Sequence, residues 1–203
     1  MTTIRKATPA DADAVVRTMV AAFVTDPAWD FITGGDRERV DPHFARALFN
    51  SRVNSGTVWV TDDCSAAALW ELREVHVGHD PHIKSAQGHD DAAKAWATYR
   101  EAVGEHTWTQ LEIYEEELEK RAPARPSWYL GVLATHPRYH NQGLASALLA
   151  HTFALADEAH LPCWLETEEV ENITFYENRG FTERVEFALP DGTPVWWMGR
   201  PAR

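Results

Sequence analysis

This chain of 203 residues is poor in cysteine, in basic side chains and in long apolar runs. Its two cysteines, Cys64 and Cys163, permit no disulfide framework and form no CxxC pair. That usage suits a reducing compartment, and a cytoplasmic location is the expectation. No window approaches about 18 uninterrupted apolar residues, so no membrane span is expected. The opening MTTIRKATPADAD has no apolar signal core, so no leader is expected either. Lysine and arginine number 19 against 31 acidic residues, a formal net charge of −12. This balance argues against nucleic acid as a partner, because nonspecific binding needs a basic face to displace counterions. It serves solubility, and it would also steer a cationic substrate. The two common phosphate loops are missing: there is no GxxxxGK[ST], and no GxGxxG follows a strand. No internal repeat stands out.

What is present fits one globular domain over residues 1–203, with 44% hydrophobic and 25% charged residues. Thr8-Pro9 followed by Asp11 and Asp13 reads as a helix start, and Val15, Met19 and Phe23 fall on one face. TDPAWDF breaks that helix. A second runs from about Asp41 to Ser51, with Phe44, Leu48 and Phe49 inward. TVWVTDD and SAAALWELREV read as two strands around Asp62-Asp63-Cys64. His76 to Gln87 reads as a polar loop. Asp90 to Val103 and Thr109 to Arg121 read as helices, an insert spanning about 89–121 that forms a substrate wall or lid. Ala122 to Pro126 is a linker. Leu144, Leu148 and Leu155 continue one helical stripe. Leu161 to Thr167 is a strand, Glu171 to Arg179 a short helix stopped by Gly180, and PDGTP joins two final strands, Thr182 to Leu189 and Val195 to Gly199. Nine tryptophans are many for this length; Trp128, Trp164, Trp196 and Trp197 lie in strand-like runs and belong to the core or a pocket wall.

The most informative stretch is Trp128 to Ala150, WYLGVLATHPRYHNQGLASALLA. A partly β-branched run ends at Thr135. A short loop with Pro137 and Asn141-Gln142-Gly143 follows, and a helix begins near Leu144. The first-turn amides of a helix have no internal partners, and the helix dipole adds positive potential there. A phosphate-bearing ligand is the natural occupant, and Gly143 lets the main chain come close to it.

At these residues the chain resembles the GCN5-related N-acetyltransferase (GNAT) family. HPRYHNQGLASALL is similar to its motif A, [Q/R]xxGx[G/A] after a strand and a Pro-containing turn. Three residues before Gly143, where the family usually has Gln or Arg, stands His140. LETEEVENITFYENRGF, Leu165 to Phe181, is similar to motif B, a strand ending in LET and then NxxFYxxxGF. The resemblance is strong from Trp128 to Phe181 and weak before Ala68. From Ala68 to Phe181 it loosely resembles the bacterial small-molecule branch that includes puromycin acetyltransferases.

The resemblance implies an α/β fold: a mixed, mostly antiparallel sheet splayed open between the strands ending at Thr135 and Thr167, with helices on both faces. It implies acetyl-CoA as cosubstrate. Leu133, Ala134 and Thr135 would meet the pantetheine and acetyl group through the main chain, an amide at about Ala134 polarising the carbonyl. His140, Asn141, Gln142, Gly143, Leu144, Ala145 and Ser146 would cradle the pyrophosphate. Tyr176 would be the general acid toward the departing thiolate, a suitable role for a phenol. Asn172 would contact the CoA arm or cap its helix, and Phe175 would be core or pantetheine wall. Glu166 is the first candidate for general base; Glu168 and Glu169 beside it also read as solvated. Asp26, in a DP turn, together with Trp29 and Trp70, are candidates for the acceptor pocket, each with a purely structural alternative.

The expected reaction is direct acetyl transfer to a primary amine of a small molecule in a ternary complex. Acetylation of a protein N-terminus or lysine, and a non-catalytic acyl-CoA-binding module, are the alternatives. His76, His79 and His82 (HVGHDPH) are too loosely spaced for zinc, with no cysteine near, so no metal is expected. Cys163 lies in an apolar strand, where a thiol is usually inert. A monomer or homodimer is expected.

Overall fold

The computed structural model describes residues 3–73, 89–123 and 126–203. His76, His79 and His82, the polar loop and part of the predicted linker lie outside the described residues. The first half of the chain is mainly helical. Strand β1 (Ile4–Lys6) leads to α1 (Ala12–Ala22), α2 (Pro27–Thr33) and α3 (Arg37–Asn50). The hairpin β2 (Val58–Thr61) and β3 (Ala66–Arg73) precedes α4 (His89–Val103) and α5 (Glu105–Glu119). The second half alternates: β4 (Ser127–Thr135), α6 (Leu144–Glu158), β5 (Cys163–Thr167), α7 (Val170–Glu177), β6 (Glu183–Ala188) and β7 (Pro194–Arg200).

Local chemistry sets several of these starts. The Asp11 carboxylate accepts from the Thr8 amide (2.8 Å) and hydroxyl (2.9 Å) while pairing with Arg5 at 2.7 Å, which fixes the turn into α1. TDPAWDF does break α1, but it also begins α2. Asp26 is its N-cap, accepting from the Trp29 amide at 2.9 Å, and Pro27 fills the first helical position. Gly34 closes that short helix at φ +60°. Helix α3 begins at Arg37, a turn earlier than the apolar pattern predicts, and carries Pro42 inside it. The apolar pattern of α4 and α5 turns Trp96, Tyr99, Val103, Leu111, Tyr114 and Leu118 inward; all are buried except Trp96, which is half-buried. Leu155 is not on the buried stripe of α6; it is 36% exposed, while Leu148 and Leu149 are fully covered.

Among the described residues seven strands form one sheet in the order β1-β2-β3-β4-β5-β7-β6, in which only the β4–β5 pair is parallel. The fold class is α/β, with this mostly antiparallel open sheet between helical layers. One face packs against the N-terminal helices around Val15, Met19, Phe49, Leu69 and Val132. The other packs against α6 and α7 around Ala68, Trp70, Leu148, Leu165 and Phe181. Among the described residues no helix is long and apolar enough to cross a membrane.

Two irregularities of β4 position the site. Its register with β3 shifts between Leu69 and Trp70, so that Leu69 faces Val132 and Trp70 faces Leu130, leaving Gly131 as a bulge. A Cβ at Gly131 would stand 3.2 Å from the Arg52 guanidinium. The ladder to β5 is short, running only from Trp128↔Cys163 to Leu130↔Leu165. Beyond it β4 continues to Thr135 on β3 and β5 to Thr167 on β7 without pairing to each other, so the two strands part.

Helix α6 is held to β3 and β4 by its buried leucines. Leu148→Ala should lower unfolding free energy by about 2–5 kcal/mol, the usual cost of a buried leucine cavity. Urea denaturation should show the midpoint falling at an unchanged slope.

Candidate active site

Two cavities open in the gap between β4 and β5. The larger, about 560 Å³, is a groove lined by Thr135, the loop to α6, the first turn of α6 and one side of α7. Thr135 ends β4, and the His136 amide is held by the Ser65 carbonyl at 2.9 Å. The chain then turns through Pro137–Tyr139, with a His140 ring nitrogen 3.0 Å from the Thr135 carbonyl oxygen. Asn141 (φ +61°) and Gly143 (φ +78°) take left-handed conformations that bend the main chain into α6. No side chain caps this helix, and the Ala147 amide closes its first turn on the Gly143 carbonyl at 3.0 Å. The earlier amides therefore face the groove with the positive end of the helix dipole behind them. A Cβ on Gly143 would meet no protein atom within 4 Å.

Other groups complete the groove. The Thr135 hydroxyl is buried and has no hydrogen-bond partner among the described residues. Arg179 lies over the Phe175 ring at 3.5 Å and donates to the Ser146 hydroxyl at 2.5 and 3.2 Å. Burial lowers its pKa. Sequence reasoning did not single out Arg179; the only signal was a basic residue one step before Gly180. An uncapped helix start, a glycine cradle, an orphaned hydroxyl and an arginine together fit a diphosphate and the amide-bearing arm attached to it.

The second cavity, about 170 Å³, lies deeper. Its walls come from Asp26 and Trp29 at α2, Phe44 of α3, Trp96 of α4, Tyr114 of α5, and Tyr129, Gly131 and Glu166 of the sheet. Phe23, Asp26, Leu133, Asn172 and Tyr176 line both cavities, so the two meet beside the Tyr176 phenol. That ring is held edge-on by Phe175 and Phe181 at centroid distances of 5.2 and 5.6 Å. Burial and then the charges of Glu166, Glu168 and Asp26 raise the phenol pKa, so the hydroxyl keeps its proton.

Six carboxylate residues line the inner chamber: Asp26, Glu71, Glu115, Glu119, Glu166 and Glu168. Glu166 Oε1 accepts from the Tyr129 hydroxyl at 2.6 Å and lies 3.5 Å from the Tyr114 hydroxyl. Its Oε2 is shielded and has no hydrogen-bond partner among the described residues. Glu168 Oε1 accepts from Tyr114 at 3.0 Å. Burial pushes Glu166 up to about 7, against the hydrogen bond from Tyr129 and the charge of Arg73. Asp26 is raised to about 6, chiefly by burial, with the Trp29 amide opposing and Glu169 adding repulsion. Glu168 is driven well above the carboxylate range by burial and then by Asp26 and Glu166. Two arginines share the chamber: Arg52 stands 3.6 Å from Glu71, and Arg73 stacks on the Tyr129 ring at 3.7 Å.

These positions revise part of the sequence reading. Trp70 does not line the acceptor chamber; it is fully buried on the opposite face, edge-on to Trp128 and Phe153 at 6.4 Å. Glu168 is not a solvated neighbour of Glu166 but is only 7% exposed. Gln142 is exposed and does not line the groove, and Ala134 is wholly buried in the core and lines neither cavity. Asn172 donates to Glu169 at 3.1 Å and lies 3.4 Å from the Thr167 hydroxyl, within the groove wall. Leu133, Thr135, His140, Asn141, Gly143, Leu144, Ala145, Ser146 and Phe175 all line the groove, and Asp26, Trp29 and Glu166 the chamber. Tyr129, Arg52 and Arg73 were not foreseen, and Tyr114 was expected only as an inward residue of the helical insert, because their convergence depends on pairing distant segments. Cys64 and Cys163 are buried and line neither cavity.

Comparison with known proteins agrees with this geometry. Residues 96–183 match the model of the acetyltransferase (GNAT) domain. The fold is similar to that of a Corynebacterium glutamicum protein described as histone acetyltransferase HPA2 and related acetyltransferase. The two chains are 23% identical with a TM-score of 0.58, covering 100% of this chain and 98% of that one. It is also similar to arylalkylamine N-acetyltransferase 2 from Aedes aegypti (12% identity, TM-score 0.65, 99% of each chain). An N-acetyltransferase from Staphylococcus aureus Mu50 shares the fold at 13% identity and a TM-score of 0.58, over 97% of this chain and 98% of that one. Together with the splayed sheet and the cradle at Gly143, the chain carries a match to the acetyltransferase (GNAT) domain over residues 96–183, which takes in both motifs.

Proposed function

We propose that this protein transfers the acetyl group of acetyl-CoA directly to a primary amine of a small molecule. The observation that carries the reading is the meeting of the two cavities at Tyr176, one suited to a diphosphate and its arm, the other acidic and aromatic. Bound acetyl-CoA would supply an activated thioester. The open edge of β4 from Leu133 to Thr135 would orient it, as an added strand orients on a sheet edge. The α6 amides from Leu144 to Ser146, with Arg179, would hold the diphosphate.

Glu166 serves as the base. An amine arrives as an ammonium ion and must lose a proton before it attacks. Glu166 offers a shielded oxygen in the chamber wall and a pKa of about 7, which favours accepting that proton near neutrality. Tyr176 delivers its proton to the sulfur as the thiolate leaves. Neither cysteine reaches the cavities, which favours attack by the amine itself over an acyl-enzyme. The inner chamber is roofed by Trp96, Leu111, Tyr114 and Leu118 of α4 and α5, an enclosure that suits a small acceptor better than a polypeptide. Small-amine acetylation is also what the name of the Aedes aegypti relative describes.

Thiol release from acetyl-CoA with a panel of amines tests the reading, and initial rates should follow a sequential pattern. Binding of CoA without turnover across the panel would favour a non-catalytic module instead. Tyr176→Phe should lower kcat by about 100-fold or more, the usual worth of a positioned acid, with little change in CoA affinity; parental activity would remove the phenol from the mechanism. Gly143→Val should abolish CoA binding in calorimetry, because a branched side chain fills the cradle and the left-handed backbone disfavours it. The rate should depend on deprotonated Glu166: kcat/KM should rise by about tenfold per pH unit below the pKa and level off above about 7. Glu166→Gln should flatten that limb.

A further inference from the structure

The sheet has two edges, and they are finished differently. At one end stands β1, three residues long, with Arg5 tied to Asp11. So short an edge offers little to another chain. At the other end, among the described residues, β6 pairs with β7 alone and runs for six residues. Every residue of β6 but Phe187 is exposed, and Val185 is 47% exposed. We propose that this edge joins a second copy of the chain about a two-fold axis at Val185, so that the two sheets continue as one. The assembly is independent of acetyl transfer: no residue of β6 lines either cavity.

The ladder fixes which main-chain groups face outward. Just past β6 the Leu189 amide donates to the Thr193 carbonyl at 2.9 Å, in the register that runs from Glu183↔Gly199 to Ala188↔Pro194. In an antiparallel ladder hydrogen-bonded pairs recur at every second residue. Glu183, Val185 and Phe187 therefore direct their amides and carbonyls to β7. Arg184, Glu186 and Ala188 present theirs to the outer edge. An incoming antiparallel strand must set its own outward-facing residues opposite these, so its register moves in steps of two residues.

Side chains follow the same alternation. Arg184 and Glu186 stand beside Met198 and Trp196 on the face of α6 and α7, and Val185 and Phe187 beside Trp197 and Val195 on the other face. With Val185 opposite its own copy, Arg184 of each chain lies opposite Glu186 of the other, on one face of the joined sheet. Two opposite-charge pairs form, related by the axis. Arg184 also lies 3.7 Å from the exposed Glu177 carboxylate through one nitrogen, and its guanidinium has further donors for the second copy. Sliding the second strand two residues one way sets Glu186 against Glu186; the other way sets Arg184 against Arg184. Both adjacent registers place like charges together at the axis.

On the opposite face Val185 meets Val185 at a non-hydrogen-bonded position, where side chains stand closest, and its exposed apolar surface is covered. Glu183 comes opposite Phe187 of the second copy, a ring that carries the Arg121 guanidinium at 4.4 Å. Charged residues on an edge strand commonly keep other strands away. Here they differ in sign on either side of a valine, which repels a slipped strand and accepts the same strand reversed.

Sedimentation equilibrium of the intact protein tests the pairing. One strand pair is a small interface, so dimers should form reversibly over about 1–500 μM. Arg184→Glu and Glu186→Arg each set like charges across the axis and should weaken dimerisation by about tenfold or more. The double variant exchanges the two charges and should dimerise as the parent does. Mixed in equal amounts, the two single variants should form heterodimers, because each supplies the charge that the other lacks. Unchanged unfolding midpoints separate loss of the interface from loss of the fold. A parent that stays monomeric throughout, a dimer that the single variants leave intact, or single variants that do not associate when mixed would overturn the inference, and none of these results bears on acetyl transfer.

Discussion

The parting of β4 from β5 is the constraint on which the rest of the molecule depends. A strand edge inside a folded protein normally finds a partner, because buried amides and carbonyls left unpaired are costly. Here the parallel ladder stops at Leu130 and Leu165, and β4 continues with its free edge facing a cavity. Such an edge is tolerable where solvent or a ligand with amide groups reaches it. The Gly131 bulge re-aims β4 just where the ladder ends, and Arg52 lies close over the bulge where a Cβ would press on it. Helices α6 and α7 then flank the opening, which is why the loop at Gly143 and the phenol of Tyr176 reach one space from opposite sides.

The inner chamber places ionisable groups in a largely apolar wall, which is costly unless each has a partner. The fold supplies partners from phenols more than from bases. Tyr129 donates to Glu166, and Tyr114 donates to Glu168. A phenol satisfies a carboxylate oxygen without neutralising it, so the chamber stays receptive to a cation. The helical insert matters for this reason: Tyr114 is carried by α5, and Trp96 by α4. These two helices supply part of the aromatic wall and one of the two phenol donors.

Much of the cofactor side was legible in the sequence, because it is local. The run ending at Thr135, the glycine at 143 and the leucines of α6 sit within one continuous segment whose periodicity and turn chemistry announce strand, loop and helix. The acceptor side was only partly legible. Asp26 and Trp29 were suspected, but α2 itself was hidden, since a DP pair reads equally as a break and as a helix start. Glu168 looked solvated beside Glu169, and only the course of β5 into α7 turns it inward. Trp70 shows the opposite failure. On a strand, side chains alternate between faces, and Trp70 shares the α6 face with Ala66 and Ala68. Sequence alone does not say which face of β3 holds the chamber. Arg52, Arg73 and Tyr129 meet through strand pairing and a bulge, relations that no window of residues contains.

The trio of Asp26, Glu166 and Glu168 has a consequence for how an acceptor is taken up. Near neutral pH these carboxylates hold part of a proton load that exposed carboxylates would have shed. An arriving ammonium ion favours their charged forms and drives those protons out. Uptake of the amine is thus an exchange of one kind of positive charge for another. The heat of acceptor association, measured in buffers of different ionisation enthalpy, would carry the signature of that release.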